Sequence, residues 1–438
     1  MPQSENFVIS ARWVVPVVPA GACLDHHAIV VEKGRIVELL PALEAKRKYP
    51  AFELVELPNH IVTPGLVNGH GHAAMTLLRG YSDDRELMDW LENHIWPVEA
   101  KYVNYDFTYD GTCLAIAEML RTGTTCAVDT YFFPDAAAKA YTDQHFRAQV
   151  CLPVVKFGNA WARDEEHHIH RALQVHDDLR SSELLTTALA PHAPYTVSDE
   201  GFQSIKMYAE ELDIPIHLHL HEAATEVDAA VAETGMRPFK RMSDMGLLSP
   251  ALQAIHMTQL TDAEISQLAI HGVHVVHCPE SNLKLASGFC RVKDLISAGV
   301  NVCIGTDGAA SNNNLDMLEE IRSTALLAKG VSLDATAVSA HQALAMATIN
   351  GARMLGLDEQ IGSLEVGKMA DITAVDLSAL NFQPVHHPVS QLVYTATGHQ
   401  VSDVWIAGRH LLRDGEFTQL DVADLRARVA SWQEKIGS

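Results

Sequence analysis

Short apolar runs, each followed by a longer stretch with helical spacing, alternate from Val67 to about residue 355. That alternation marks a parallel sheet wrapped by helices. Eight runs have strand character: 66–72, 124–129, 149–157, 184–192, 214–221, 253–257, 273–278 and 300–306. Between the first two, residues 87–100 and 107–120 repeat apolar positions at helical spacing, and Gly123 stands where a helix C-cap wants positive φ. Eight strands alternating with helices predict a (β/α)8 TIM-like barrel rather than an open sheet.

The flanks follow a different rule. Residues 7–18, 28–32, 35–40 and 52–57 are strand-like, with Lys33 and Gly34 as a hairpin turn. At the far end 370–376, 401–407 and 410–412 carry the same signal, broken at Gly408, and 422–438 reads as a terminal helix. Two partial sheets at opposite ends predict a small composite β-sandwich domain over 1–64 and 365–438. The catalytic barrel then occupies 65–364.

Composition narrows the class. At 438 residues and 47% hydrophobic content the chain can bury a large core. Its 55 acidic against 32 basic residues give a net charge of -23, which repels a polyanion and argues against nucleic acid as a partner. A small-molecule substrate is expected instead. The N-terminus lacks a basic and then apolar leader, and no apolar run is long enough to span a bilayer, so a cytoplasmic protein free of the membrane is expected. The seven cysteines are scattered without CxxC spacing, which predicts reduced core residues rather than disulfides or a thiolate metal site.

The chemistry gathers at the strand ends. In such a barrel, catalytic groups sit at the C-terminal ends of the strands. The first ends in His70 and His72, which share a face with Gly71 giving their rings room; the fourth ends in His192, the fifth in His217, His219, His221 and Glu222, the sixth in His256, and the eighth in Asp307. So many polar groups at strand ends are hard to explain as apolar filling, and they point to a metal site. His217, His219 and His221 cannot all be ligands, so one is expected to be a buried, hydrogen-bonded histidine. With His219 as ligand, Glu222 falls beside the metal without binding it, where a proton shuttle belongs. Asp307 alone reads as a turn residue; beside three histidines it reads as a ligand. Three nitrogens and one oxygen suit one divalent metal per chain, zinc first, with iron or manganese as alternatives.

Several stretches carry a family likeness in order along the chain: residues 63–72 (TPGLVNGHGH), 191–195 (PHAPY), 219–222 (HLHE), 305–313 (GTDGAASNN), 345–352 (AMATINGA) and 362–372 (GSLEVGKMADI). Through them the chain resembles the amidohydrolase superfamily, and within it the S-adenosylhomocysteine/5'-methylthioadenosine deaminases. The resemblance implies that His70, His72, His219 and Asp307 bind the metal, that Glu222 moves protons to a purine ring, and that His256 assists the attacking oxygen while Asp307 takes its proton. It also implies that Glu99 receives ribose hydroxyls and that His192 and Ser311 contact the base. Read alone, Glu99 is a solvated helical carboxylate, and His192 could equally be a satisfied core histidine. A homo-oligomer, dimer or tetramer, is expected.

Two departures from the family pattern refine the expectation. Residues 184–192 hold no lysine of the kind that bridges two metals, so a mononuclear site follows. The arginine expected after the third strand is missing, leaving Lys156 or Arg163 as the only cations there, and Asp164 and Glu165 beside Arg163 repel a carboxylate. That favours 5'-methylthioadenosine or adenosine over S-adenosylhomocysteine, with Trp96 or Trp161 as the apolar lining for a methylthio group. The competing readings are a guanine or s-triazine aminohydrolase and, from another class, a metal-free scaffold that has lost catalysis. The HxE and PCxxC signature of the nucleobase deaminases is missing.

Overall fold

The computed structural model describes residues 6–437. The N-terminal strands are β1 (Asn6–Val14), β2 (Leu24–Glu32), β3 (Arg35–Pro41) and β4 (Glu53–Pro64). Parallel strands follow: β5 (Leu66–Gly71), β6 (Thr124–Thr130), β7 (Arg147–Val154), β8 (Leu185–Pro191), β9 (Ile216–Leu220), β10 (Leu252–His256), β11 (His274–His277) and β12 (Val302–Ile304). The chain closes with β13 (Ile372–Asp376), β14 (Val401–Ile406), β15 (Arg409–Arg413), β16 (Glu416–Phe417) and the helix Val422–Gly437. Among the described residues, no helix is long and apolar enough to cross a membrane.

Strands β5 to β12 pair in sequence order, and each predicted run matches its strand to within two residues at either end, except at 149–157, where the strand stops three residues earlier. The ring shuts between its first and last members. Asp307 N–H donates to the His70 carbonyl at 3.0 Å, and Asn68 clasps Thr306 by accepting from its N–H at 3.0 Å and donating to its hydroxyl at 2.7 Å. A Cβ on Gly305 would lie 2.6 Å from the His70 nitrogen, so only glycine allows this approach. The corresponding position at Gly71 would meet nothing nearer than 3.5 Å. The glycine that makes room for the histidines is thus Gly305, and the expectation for Gly71 is corrected.

The terminal strands form one eight-stranded sheet, ordered β16-β15-β14-β13-β4-β1-β2-β3, so both ends of the chain build it together. Three strand spacings separate β1 from β14, about 14 Å if the sheet were flat. Phe7 on β1 nevertheless stacks on Trp405 of β14 with ring centroids 6.2 Å apart, and Ala370 N–H reaches the Gly34 carbonyl at 2.9 Å. The sheet therefore folds over on itself, with Ile9, Ile29, Ile36 and Ile372 filling the interior. The hairpin turn falls where expected, Lys33 and Gly34 having φ of 48° and 79°. Six of the seven cysteines are buried and all are free; Cys23 is exposed, contrary to its expected place in the core.

Sheet and barrel are locked by a buried ion pair. Arg147 of β7 meets Asp371 in two contacts, Nε at 2.8 Å and Nη2 at 3.1 Å, with both side chains 2% exposed. Asp371 also accepts from Ala407 N–H at 2.7 Å. Removing one partner leaves the other charge buried and uncompensated, so Asp371→Ala should cost about 3–5 kcal/mol in denaturant unfolding. A loss under about 1 kcal/mol would show that water reaches Arg147 and that the pair is not what joins the two layers.

Candidate active site

The donors converge because each ring is held from behind. His70 on β5 has its Nδ1 2.8 Å from His217 Nε2, and His217 is in turn fixed by Gln253 at 2.8 Å. His72 Nδ1 faces the Thr130 carbonyl at 2.5 Å, and His219 Nδ1 faces the His192 carbonyl at 2.7 Å. A carbonyl can only accept, so Nδ1 carries the hydrogen in His72 and His219, and the Nε2 lone pairs are free to point elsewhere. They point at one another. His70 and His219 Nε2 atoms are 3.2 Å apart, and Asp307 Oδ1 lies 3.3 Å from His70 Nε2 and 3.2 Å from His72 Nε2. Lone pairs crowded in this way repel unless a cation lies among them, which is how a metal site is built.

Of the three histidines in β9 and just beyond it, only His219 joins the cluster. His217 is the buried, bonded one that was expected, and His221, at φ 54°, leaves the strand and accepts from Phe239 N–H at 3.0 Å. Asp307 is itself clamped: Oδ2 accepts from Ser281 at 2.6 Å and Ser311 at 2.9 Å, and Oδ1 from Gly308 N–H at 2.8 Å. Burial pushes its carboxyl up, but His70 and His72 outweigh that and hold it well below the usual range.

His256 and Glu222 flank the cluster. His256 Nδ1 sits 2.9 Å from Asn282 Oδ1, whereas its buried Nε2 has no hydrogen-bond partner among the described residues and lies 3.7 Å from Glu222 Oε1. Burial raises the Glu222 carboxyl, only partly offset by His256, so it can carry a proton closer to neutrality than a solvated glutamate does.

All of this opens into a cavity of about 690 Å³ that also takes in Glu99, Trp96, Trp161 and Tyr195. Glu99 is not a solvated carboxylate. It lies on a helical stretch with a π-helical turn at Leu91–Ile95, its Oε1 accepts from Tyr131 at 2.6 Å, and burial pushes it up to about 7. His192 lines the cavity, and burial, with His72 and His70 adding, pushes it down to about 4, so its ring is neutral. Ser311 also lines it, although its hydroxyl hydrogen is engaged by Asp307. Trp96 packs 6.2 Å from Phe157 at the same wall. Lys156 is exposed, and Arg163, 77% exposed, pairs with Asp164 at 3.3 Å. Neither borders the cavity, whose lining among the described residues contains no lysine or arginine.

The residues that sequence reasoning missed lie behind the front row. Ser281 and Asn282 come from the helix Pro279–Lys284 after β11, whose end, His277, is not among the strand-end groups singled out from the sequence. Tyr131 follows β6 and looks like any aromatic next to a strand. No spacing rule marks these positions, because each acts through a contact with a residue distant in the chain.

A closed parallel barrel whose mouth gathers three imidazoles, a carboxylate and, beside them, a glutamate defines a hydrolase scaffold with donors that could hold a metal ion. Known proteins place it further. The amidohydrolase family model matches residues 61–411. A 5-methylthioadenosine/S-adenosylhomocysteine deaminase of Teredinibacter turnerae is 48% identical over 433 residues, 99% of this chain and 98% of that one. Its counterpart in Saccharophagus degradans is 47% identical, with 98% and 97% covered. A crystal structure of an adenosine deaminase from Xanthomonas campestris with bound zinc has a TM-score of 0.97 and 50% identity across the whole of both chains. The chain belongs to the amidohydrolase family and, within it, to the 5-methylthioadenosine/S-adenosylhomocysteine deaminases.

Proposed function

We propose that this protein hydrolyses the 6-amino group of an adenine nucleoside to give the inosine-type product and ammonia, with 5'-methylthioadenosine or adenosine favoured over S-adenosylhomocysteine. The observation that carries the reading is one cavity lined by His72, His219 and Asp307, with the fully buried His70 against them, together with two half-buried carboxyls, Glu222 and Glu99, that this donor set does not use. The relatives named above support it.

The donor set fits one divalent cation, and its three nitrogens and one oxygen suit zinc. A cation held by these residues would lower the pKa of water towards neutrality and so make a nucleophile available. Asp307, ionised and fixed by three hydrogen bonds, accepts the proton that the attacking water gives up. His256, oriented by Asn282, presents Nε2 to the same oxygen. Glu222 delivers a proton to the ring nitrogen beside the carbon under attack, so the ring can take up the displaced electron pair before ammonia leaves. Neutral His192 contacts the base, and Ser311, its hydrogen given to Asp307, can offer the base only a lone pair. We also propose a cytoplasmic homo-oligomer, in line with the acidic composition and a metabolic substrate.

Glu99 separates this reading from a free-base substrate. With Oε1 held by Tyr131, the second oxygen is left for a ribose hydroxyl, a charge-assisted contact worth roughly 1.5–3 kcal/mol. Glu99→Ala should therefore lower kcat/KM for nucleosides by about ten- to a hundredfold and leave free adenine nearly unaffected. In the parent protein, 5'-methylthioadenosine or adenosine should exceed S-adenosylhomocysteine in kcat/KM, since among the described residues no lysine or arginine borders the cavity to receive an amino-acid carboxylate. A clear preference for S-adenosylhomocysteine would contradict this account of the substrate tail, and unchanged nucleoside efficiency in Glu99→Ala would place the ribose elsewhere.

A further inference from the structure

Glu222 leaves β9 on a short connection, and its backbone is held on both sides of the Cα. Its carbonyl accepts from the Thr258 hydroxyl at 2.7 Å, and its N–H donates to Glu226 Oε2 at 2.7 Å. Glu226 sits in the first turn of the helix Ala224–Thr234, whose N-cap residue Ala223 has no side chain to cap it. A glutamate in that turn normally reaches back to the N-cap itself. Here the carboxyl faces the Ala223 backbone too, but its short hydrogen bond goes one residue further, to the Glu222 N–H.

Placement in the helix explains only part of this. Glu226 is 9% exposed, and its other oxygen, Oε1, is buried with no hydrogen-bond partner. Helix capping alone would be served by a solvated carboxylate, which keeps water on its free oxygen. Burial, with Glu222 adding, pushes the Glu226 carboxyl up to about 8. A neutral acid can still accept the Glu222 N–H through its carbonyl oxygen, and it avoids setting a second full negative charge beside Glu222.

We infer that Glu226 is a positioning residue for proton transfer: by holding the Glu222 N–H, opposite the Thr258 grip on its carbonyl, it fixes the direction in which the Glu222 side chain enters the cavity. This rests on Glu222 being the proton carrier. The side chain needed is one acceptor oxygen of the right length, not a charge. Glutamine supplies that oxygen and alanine does not.

The test compares Glu226→Ala, Glu226→Gln, Glu222→Gln and the Glu222→Gln/Glu226→Ala double variant on the deamination of adenosine, with bound metal and thermal midpoint measured for each. Misplacing a reacting group by a fraction of its reach costs turnover rather than substrate binding. Glu226→Ala should lower kcat roughly 10- to 100-fold with KM within about twofold and metal content unchanged, and Glu226→Gln should restore most of the rate. In the Glu222→Gln background, removing Glu226 should cost little more, because its effect passes through the group already disabled. Full activity of Glu226→Ala alongside an inactive Glu222→Gln would overturn the inference and leave the proton carrier in place. A Glu226→Gln rate as low as that of alanine would overturn it too, since the carboxyl's own proton would then be required. A normal rate in Glu222→Gln would instead remove the reading on which it stands.

Discussion

Glu222→Gln should reduce turnover at least about a hundredfold while leaving metal content unchanged. Glutamine keeps the shape of the side chain and its hydrogen bonding, but it cannot hold a proton and release it. The geometry sets the two expectations apart. Glu222 lies 3.7 Å from His256 and outside the groups of donors that can share a cation, so the loss should fall on kcat and not on occupancy. Its raised carboxyl is what the task requires, since an acid that must give a proton to a weakly basic ring nitrogen works best when it is still protonated near the working pH. Loss of metal from this variant would make Glu222 a ligand and remove the shuttle from the mechanism.

His72→Ala should empty the site. The cluster is a mutual arrangement: Asp307 Oδ1 is shared between His70 and His72 at 3.3 and 3.2 Å, and each ring is oriented by a fixed partner behind it. Losing one of four donors typically lowers affinity by orders of magnitude, and even an orienting partner costs ten- to a hundredfold. We expect about one divalent metal per chain in the parent protein and, after dialysis, less than about a tenth of that in the variant. Deamination should vanish with it. Full occupancy in His72→Ala would mean that His70, His219 and Asp307 hold the ion with another ligand, His256 being the nearest, and the assigned donor set would be wrong.

Much of this was legible in the chain because the relevant signals are local. The barrel showed itself as eight apolar runs, and the donors showed themselves because a barrel places its chemistry where those runs end. The sandwich was legible as two partial sheets, but their union into a single folded sheet depends on β4 pairing with β13 across some three hundred residues, which no local pattern encodes. The same holds in the site. His70 and His72 stand out two residues apart, whereas the reason they sit against Asp307 is Gly305, an unremarked glycine whose role appears only when β12 lies beside β5. Glu99 looked solvated because helical position says little about a helix that bends into a cavity. Ser281, Asn282, Tyr131 and Glu226 went unseen because each is an ordinary polar residue until its partner is known. The arginine missing after the third strand was legible, and the exposure of Lys156 and Arg163 follows the same line.

The most direct measurement is the release of ammonia, followed together with the shift in purine absorbance, when the purified metal-loaded protein is given adenosine, 5'-methylthioadenosine, S-adenosylhomocysteine, adenine and guanine in turn. One ammonia per inosine-type product is expected from the nucleosides, fastest with 5'-methylthioadenosine or adenosine, and little from either free base. Rapid ammonia release from guanine or adenine with none from the nucleosides would contradict the proposed function.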